Sequence, residues 1–454
     1  MSIRRILIAN RGEIAVRVMR TSKALGIETV LAASEADLDS LPARLADRTV
    51  CIGPARPSES YLKIDTIVQA ALSVKADAIH PGYGFLSERA PLARLCEEQG
   101  VIFLGPSSTQ IEALGDKLGA RARAAAAGVP VAPGGAAETL GEAMVLGREI
   151  RAPLLVKAVG GGGGRGMKRV DRLQDLPQAM ELAAAEAGAA FGDARVYLER
   201  FVAHGRHVEV QVLGDGKGEV IHLGERDCSV QRRYQKLIEE TPAPGLSGNL
   251  RASILEAAVR FAKQMQYRSA GTVEFLVDSE REAFYFLEMN ARIQVEHPVT
   301  EAVTGVDLVA EQIAIAEGRG LRLRQDEVRP NGCAMECRIN AEDPARDFQP
   351  SPGTVRAAVW PAGESIRVDT HIVSGSCIPP FYDSLLAKII AHGPDRSVTL
   401  SSMRRAIGET RIEGVTTNLA FHAEMLADPE FVHGGVETAF LERFLERRPR
   451  PLEV

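Results

Sequence analysis

The first 113 residues switch back and forth between two hydrophobic periods, and that alternation restricts the fold more than any other feature of the chain. Short apolar runs at residues 5–10, 29–33, 49–52, 77–80 and 101–105 read as strands. Helical patterns lie between them. Ile14, Val18 and Leu25 recur at helical spacing before a closing Gly26, and residues 64–74 and 92–99 repeat the pattern. Strands separated by helices of this length predict a parallel, Rossmann-like sheet. No GxGxxG follows the first strand, so dinucleotide binding is not supported.

At 454 residues the chain has room for three modules, taking ~150 residues as one domain. The Rossmann-like module covers 1–113, a central module 114–332, and a mixed strand–helix module 333–447. Within the centre, residues 131–202 read as a semi-independent lid, opened by Pro130, Pro133, Gly134 and Gly135 and closed by a strand at 196–198. The fold class is α/β with mixed α+β character. A net charge of −6 gives no general drive toward nucleic acid or an anionic membrane. The N-terminal apolar run ends at Ile8, too short for a secretory leader, and no stretch reaches the length of a membrane span. The six cysteines include no CxxC pair, which predicts reduced thiols in a cytoplasmic protein.

Five consecutive glycines, Gly160 to Gly164, interrupt the lid between two stretches of strand character, 154–159 and 167–170. Without side chains to pack, such a loop is free to line up its N–H groups over phosphates. Lys157 and Arg165 add positive charge on either side, which counts against a mere linker. It is not a Walker A loop, because Met167 and Lys168 stand where Lys and Ser/Thr are required.

A second stretch, residues 271–301, alternates with unusual chemistry. Val273, Phe275 and Val277 are strand-like, a turn follows at 279–282, and the alternation resumes through Phe284, Phe286 and Glu288. If the chain stays extended, Glu288, Asn290, Arg292, Gln294 and Glu296 project to one side while Met289, Ala291, Ile293 and Val295 anchor the other. A five-residue connection places Glu274 directly opposite Glu288, and a four-residue connection places them on opposite faces. Like charges across a pair are unfavourable unless a cation lies between them. Glu274 and Glu288, with Asn290 as a third, are therefore candidate Mg²⁺ (or Mn²⁺) ligands at a nucleotide site.

The motifs IANRGEIAVR, HPGYGFLSE, GGGGGRGM, ERDCSVQRR, EMNARIQVEHPVTE and ECRINAEDP together resemble biotin carboxylase, a member of the ATP-grasp enzymes, from Arg4 to about Phe440. The resemblance implies an ATP-grasp central domain with a mobile glycine-rich lid. It implies that Lys117, Lys157, Gly163 and Gly164 hold ATP phosphates, that Glu199, Arg200 and Val202 line the adenine pocket, and that His207, Gln231 and Tyr234 lie near the ribose and phosphates. Lys236, Arg292, Gln294 and Val295 would position bicarbonate. Glu296 would be the general base, with Arg292 its nearest tuning neighbour in sequence. Arg338 would stabilise the biotin enolate, with Tyr83 and Asp383 near biotin. The implied reaction is carboxylation of biotin N1 by ATP and bicarbonate. It serves a biotin carboxyl carrier protein and a carboxyltransferase of an acetyl-CoA or other acyl-CoA carboxylase, a step of fatty-acid biosynthesis, in a homodimer.

Some positions depart from the family's pattern. Tyr234 stands where a histidine is expected, which bears on ATP affinity; the phenol is expected to substitute as a hydrogen-bond partner. The connection between Glu274 and Glu288 is about two residues longer than expected. Arg17 and Arg20 match dimer-contact positions, but Ala24 and Glu364 do not. No Met-Lys-Met tripeptide of the biotin-bearing kind occurs. His204 and His207, followed by Glu209, suggest zinc only if a third ligand converges, and a strand is the expected local structure. Cys228 reads as a buried structural thiol. The rival readings are another ATP-grasp ligase, joining a carboxylate to an amine, and a non-catalytic nucleotide-binding subunit.

Overall fold

The computed structural model describes residues 2–137, 139–160 and 166–448. Its N-terminal part is a parallel five-stranded sheet in the order β3-β2-β1-β4-β5. The strands are β1 (Arg5–Ile8), β2 (Glu28–Ala33), β3 (Arg48–Cys51), β4 (Ala78–His80) and β5 (Ile102–Phe103). Each overlaps a run that alternation picks out: β1, β4 and β5 lie inside theirs, whereas β2 and β3 begin one residue earlier than expected. The helix Gly12–Ala24 buries Ile14, Ala15, Val18 and Met19 against this sheet. Leu25 does not join that face: it follows the last helical residue and is 44% exposed. Gly26, at φ +71°, makes the left-handed turn that ends the helix.

The lid is a four-stranded antiparallel sheet, order β6-β9-β7-β8, formed by β6 (Gly134–Ala136), β7 (Leu154–Ala158), β8 (Met167–Val170) and β9 (Val196–Arg200). β7 and β8 pair as a hairpin, with Lys157 opposite Met167. Leu154, Val156, Val170, Leu176 and Leu198 form its small core.

The body of the molecule is one eight-stranded antiparallel sheet. It contains β10 (Gly205–Asp215), β11 (Val220–Arg232), β12 (Gln235–Thr241), β13 (Arg268–Asp278), β14 (Ala283–Asn290), β15 (Cys333–Asn340) and the strands Ile366–Thr370 and Leu385–Gly393. The order is β14-β13-β10-β11-β12-β15, then Leu385–Gly393, then Ile366–Thr370. Strands from the central and the C-terminal stretch thus share one sheet through the β12–β15 pair. The helix His297–Thr304 lies across β11, β12, β15 and Leu385–Gly393, so the charged residues beneath it are shut off from water. Among the described residues no helix is long and apolar enough to cross a membrane.

Candidate active site

The β13–β14 hairpin carries both registers that its sequence allows. Next to the turn Asp278 pairs with Ala283, a four-residue connection, and Phe275 pairs with Phe286. A bulge at Leu287 then shifts the ladder, so that Glu274 faces Glu288 and Thr272 faces Asn290. The four-residue turn and the opposed glutamates coexist because one extra residue restores the parity. The strand ends at Asn290 and a helix begins at His297, so the extended run to Glu296 is only partly a strand. Ala291 and Ile293 are buried on the apolar side, but Val295 is not fully buried.

Lys236 is the centre of the site. Its Nζ donates to Glu209 Oε2 at 2.5 Å, Glu274 Oε1 at 3.0 Å and Glu296 Oε1 at 2.7 Å. Burial alone would lower this ammonium's pKa, but the three carboxylates hold it well above the usual lysine value. Glu274 Oε1 also accepts from Asn290 Nδ2 and Gln294 Nε2, both at 2.9 Å, and Oε2 lies 3.0 Å from His207 Nε2. Burial would raise Glu274, yet Lys236 and His207 keep it far below the usual carboxylate range. The fully buried Arg226 ties the floor together, donating to Glu209 Oε1 at 2.6 Å and Gln294 Oε1 at 2.7 Å.

Glu296 lies between two cations. Oε1 takes Lys236, and Oε2 takes Arg338 Nη2 at 2.9 Å. Against a burial penalty, Lys236, Arg338 and Arg226 hold Glu296 below the ordinary carboxylate range. The strongest tuning residues are therefore these, and Arg292 adds a weaker attraction of its own. Arg292 is turned to Glu88 Oε2 at 2.8 Å and to Asn290 Oδ1 at 2.8 Å. Asn290 thus spends its amide oxygen on Arg292 and its amide nitrogen on Glu274.

Among the residues expected at a nucleotide, Lys117 pairs with Glu288 at 2.9 Å. Lys157 and Arg121 both bind the buried Glu199 carboxylate, at 2.5 and 2.7 Å. An adenine-facing role for Glu199 would have to compete with these two cations. The Arg200 N–H is bonded to the Pro133 carbonyl at 2.8 Å, and Val202 is buried. Gln231 and His207 lie side by side, Nε2 to Nδ1 at 3.5 Å. Tyr234 sits in the tight β11–β12 turn at φ +66°, 54% exposed, its hydroxyl donating to Met167 Sδ at 3.2 Å. It bridges the body to the lid strand. Gly163, Gly164 and Arg165 lie outside the described residues.

Asn10, Tyr83, Phe85, Tyr382 and Asp383 line a cavity of about 300 Å³ between the first and last parts of the chain. Its Tyr83 hydroxyl is bonded to Glu13, while Asp383 is exposed and caps the Leu385 N–H at 3.0 Å. Lys388, fully buried, donates to the Val295 carbonyl at 2.8 Å and lies 3.1 Å from Glu13.

The zinc pair does not form. His204 turns outward to Glu437 at 3.0 Å, whereas His207 turns inward to Glu274. Ligand atoms of His207, Glu209 and Glu274 do converge within 4.8 Å. The Lys236 ammonium, however, already bridges Glu209 and Glu274, so a metal ion there would meet a buried cation. Cys228 is fully buried and its thiol is pushed well above its usual range by burial. Arg17 is buried in pairs with Glu301 and Asp307 of its own chain, whereas Arg20 stays half exposed beside Asp369. Sequence reasoning missed Glu88, Arg226, Glu239 and Lys388, and considered Glu209 only beside a zinc site. Each lies in a strand or loop where the alternation alone does not say which face is covered.

Residues 2–111 match the family Biotin carboxylase, N-terminal domain. Residues 116–324 match Carbamoyl-phosphate synthase L chain, ATP binding domain, and residues 336–443 match Biotin carboxylase C-terminal domain. A curated biotin carboxylase of Nostoc sp. is 49% identical over 444 residues, 97% of this chain and 99% of its own. The biotin carboxylase–β,γ-ATP complex from Campylobacter jejuni superposes with a TM-score of 0.95 at 45% identity, over 97% of this chain and 99% of that one. The biotin carboxylase domain of a Hydrogenobacter thermophilus 2-oxoglutarate carboxylase, in complex with MgADP, ADP and bicarbonate, gives 0.94 at 45% identity, over 98% of both chains.

Proposed function

This chain belongs to the biotin carboxylase family of ATP-dependent ligases, and from that premise we propose that it carboxylates N1 of biotin borne on a biotin carboxyl carrier protein. We assign the reaction to the first half of an acyl-CoA carboxylase, with acetyl-CoA as the acceptor served by a separate carboxyltransferase, in a cytoplasmic homodimer. The observation that carries the chemistry is the Glu296 carboxylate held between Lys236 and Arg338.

Lys117, Lys157, Gly163 and Gly164 hold the ATP phosphates. Glu274 and Glu288 oppose one another across the ladder, each now countered by a lysine, Lys236 and Lys117, with which a divalent cation would have to share them; with Asn290 they would hold Mg²⁺. When bound it neutralises charge on the phosphoryl oxygens. Bicarbonate, positioned by Lys236, Arg292, Gln294 and the Val295 backbone, attacks the γ-phosphorus. The products are ADP and carboxyphosphate, which breaks down to CO₂ and phosphate. Glu296 takes the ureido N1 proton, a task shared with the released phosphate, while Arg338 faces the developing enolate oxygen. A carboxylate stabilised by two cations is a weak base. Bicarbonate drawing on Lys236 and biotin drawing on Arg338 each weaken that hold, so Glu296 becomes basic only with both substrates present.

ADP release by the purified chain with Mg²⁺ATP, with and without bicarbonate and free biotin, tests this reading. The expected result is stimulation that needs both and is lost in Glu296→Ala. Turnover independent of bicarbonate, or turnover with an amine acceptor and none with biotin, would replace it with a general carboxylate–amine ligase.

A further inference from the structure

β12 and β15 bring a second pair of acids face to face. Glu239 and Glu336 are directly opposite in the antiparallel ladder, and both are fully buried. Two ionised carboxylates so placed repel one another with no water to screen them. Only one is anchored. Glu239 Oε1 accepts from Arg338 Nε at 2.6 Å, while Glu239 Oε2 and both oxygens of Glu336 have no hydrogen-bond partner among the described residues. A buried carboxylate without donors has lost its hydration for no return, and a neutral carboxylic acid tolerates such a place far better.

The cations around the pair are committed elsewhere. Lys236 serves Glu209, Glu274 and Glu296, Lys388 serves Glu13 and the Val295 carbonyl, and Arg338 is shared between Glu239 and Glu296. Nearby titratable groups add no positive charge. Glu240 is turned to Arg396, and burial pushes the Cys228 and Cys337 thiols up. On the covering helix, burial keeps His297 neutral, and Glu301 binds Arg17 and Arg367. His392, on the strand beyond β15, is bonded to the Asn331 carbonyl.

We propose that Glu239 and Glu336 are a positioning pair for Arg338: Glu336 stays neutral, and the one negative charge that remains, on Glu239, holds the guanidinium with its Nη2 toward Glu296. The proposal rests on the assignment of Arg338 to the biotin enolate. Burial pushes Glu336 well above the carboxylate range and, against the pull of Arg338, raises Glu239 to about 7. As pH falls through that value Glu239 gains a proton and Arg338 loses its anchor. Glu296, held low by its two cations, does not titrate there.

Three measurements on the full chain decide it: bicarbonate-dependent ADP release without biotin, its stimulation by biotin, and the pH profile of that stimulation. Glu239→Gln should lower the biotin-stimulated rate about ten- to a hundredfold, as expected for loss of one charge-assisted hydrogen bond. It should also leave the biotin-free rate in place and abolish the rise of the wild-type profile near neutral pH, while Glu239→Asp recovers part of the rate. Glu336→Gln, a neutral isostere, should fold and keep the stimulated rate within about threefold, and an infrared protonated-carboxyl band of the wild type should be missing from it. A Glu336→Gln that unfolds or costs as much as Glu239→Gln overturns the proposal, as does a Glu239→Gln with an unchanged biotin response. If Glu239→Gln does not fold, the wild-type profile decides, and one that is flat near neutrality overturns the proposal. Failure of the parent reading looks different: Arg338→Ala would then leave biotin stimulation intact.

Discussion

Ion pairs in the lid and in the body use the same side chains with opposite consequences. In the lid, Lys168–Glu186, Arg172–Asp175 and Arg195–Asp193 lie on the surface, with most partners more than a quarter exposed. Each can part and be rehydrated at little cost, and exposed pairs are worth about 0–1 kcal/mol. In the body, Arg226, Glu209 and Glu296 are fully or almost fully buried, and none can be readily rehydrated if its partner leaves; Lys236, which joins Glu209 to Glu296, is 11% exposed. What covers a charge, not the charge itself, decides whether it is optional. Those surface pairs can part at little cost, whereas the buried Glu199, held by Lys157 and by Arg121 of the body, is a tie between the two regions that would be costly to break.

The comparison is most exposed to attack at Lys236. Lys236→Met leaves Glu209, Glu274 and Glu296 facing one another, and should cost about 3–5 kcal/mol of stability together with all measurable bicarbonate-dependent ADP release. A variant that melted like the wild type would show the body's charges to be as dispensable as the lid's.

Acid should separate the two regions next. Burial pushes His80 down to about 4, His371 to about 3 and His422 to about 4. These folded values lie below the unfolded one, so between pH ~6.5 and ~4 the unfolded chain binds more protons and stability is lost as pH falls. At 1.36 kcal/mol per unit each contributes up to roughly 3 kcal/mol. Residues 131–202 contain no histidine. Hydrogen exchange followed from pH 7 to 5 should therefore show faster opening of the first and last parts of the chain, with the lid less affected.

Smaller effects test the boundary. Tyr234→Phe should change the KM for ATP by no more than about twofold, because a half-exposed O–H···S contact to Met167 is worth under ~1 kcal/mol. A large rise would mean that the phenol does serve the nucleotide. Lys168→Ala should be the mildest, shifting stability by less than about 0.5 kcal/mol, with high salt removing the difference.

The parallel sheet was legible because buried strands and amphipathic helices leave different periods, and the β7–β8 hairpin because strand character flanks the glycines. Glu274 and Glu288 were legible as a pair, but their facing depended on a bulge at Leu287 that no residue type announces. Glu209 and Arg226 were not legible as site residues. Each sits in a strand whose alternation looks like that of a sheet with one wet face, and only the helix lying across the sheet turns that face into an interior. The stronger hold of Lys236 and Arg338 on Glu296 was hidden for the same reason: neighbours in sequence such as Arg292 were visible, neighbours across strands were not.

The bulge at Leu287 also bears on descent. Beyond it the two glutamates keep their facing whatever the length of the connection at the tip, provided the pairs next to the turn are kept. A two-residue insertion can add one more pair to the ladder, and a single-residue insertion can lengthen the connection from four residues to five. Either change stays at the tip, so length variation there should be inherited freely while the bulge itself is kept.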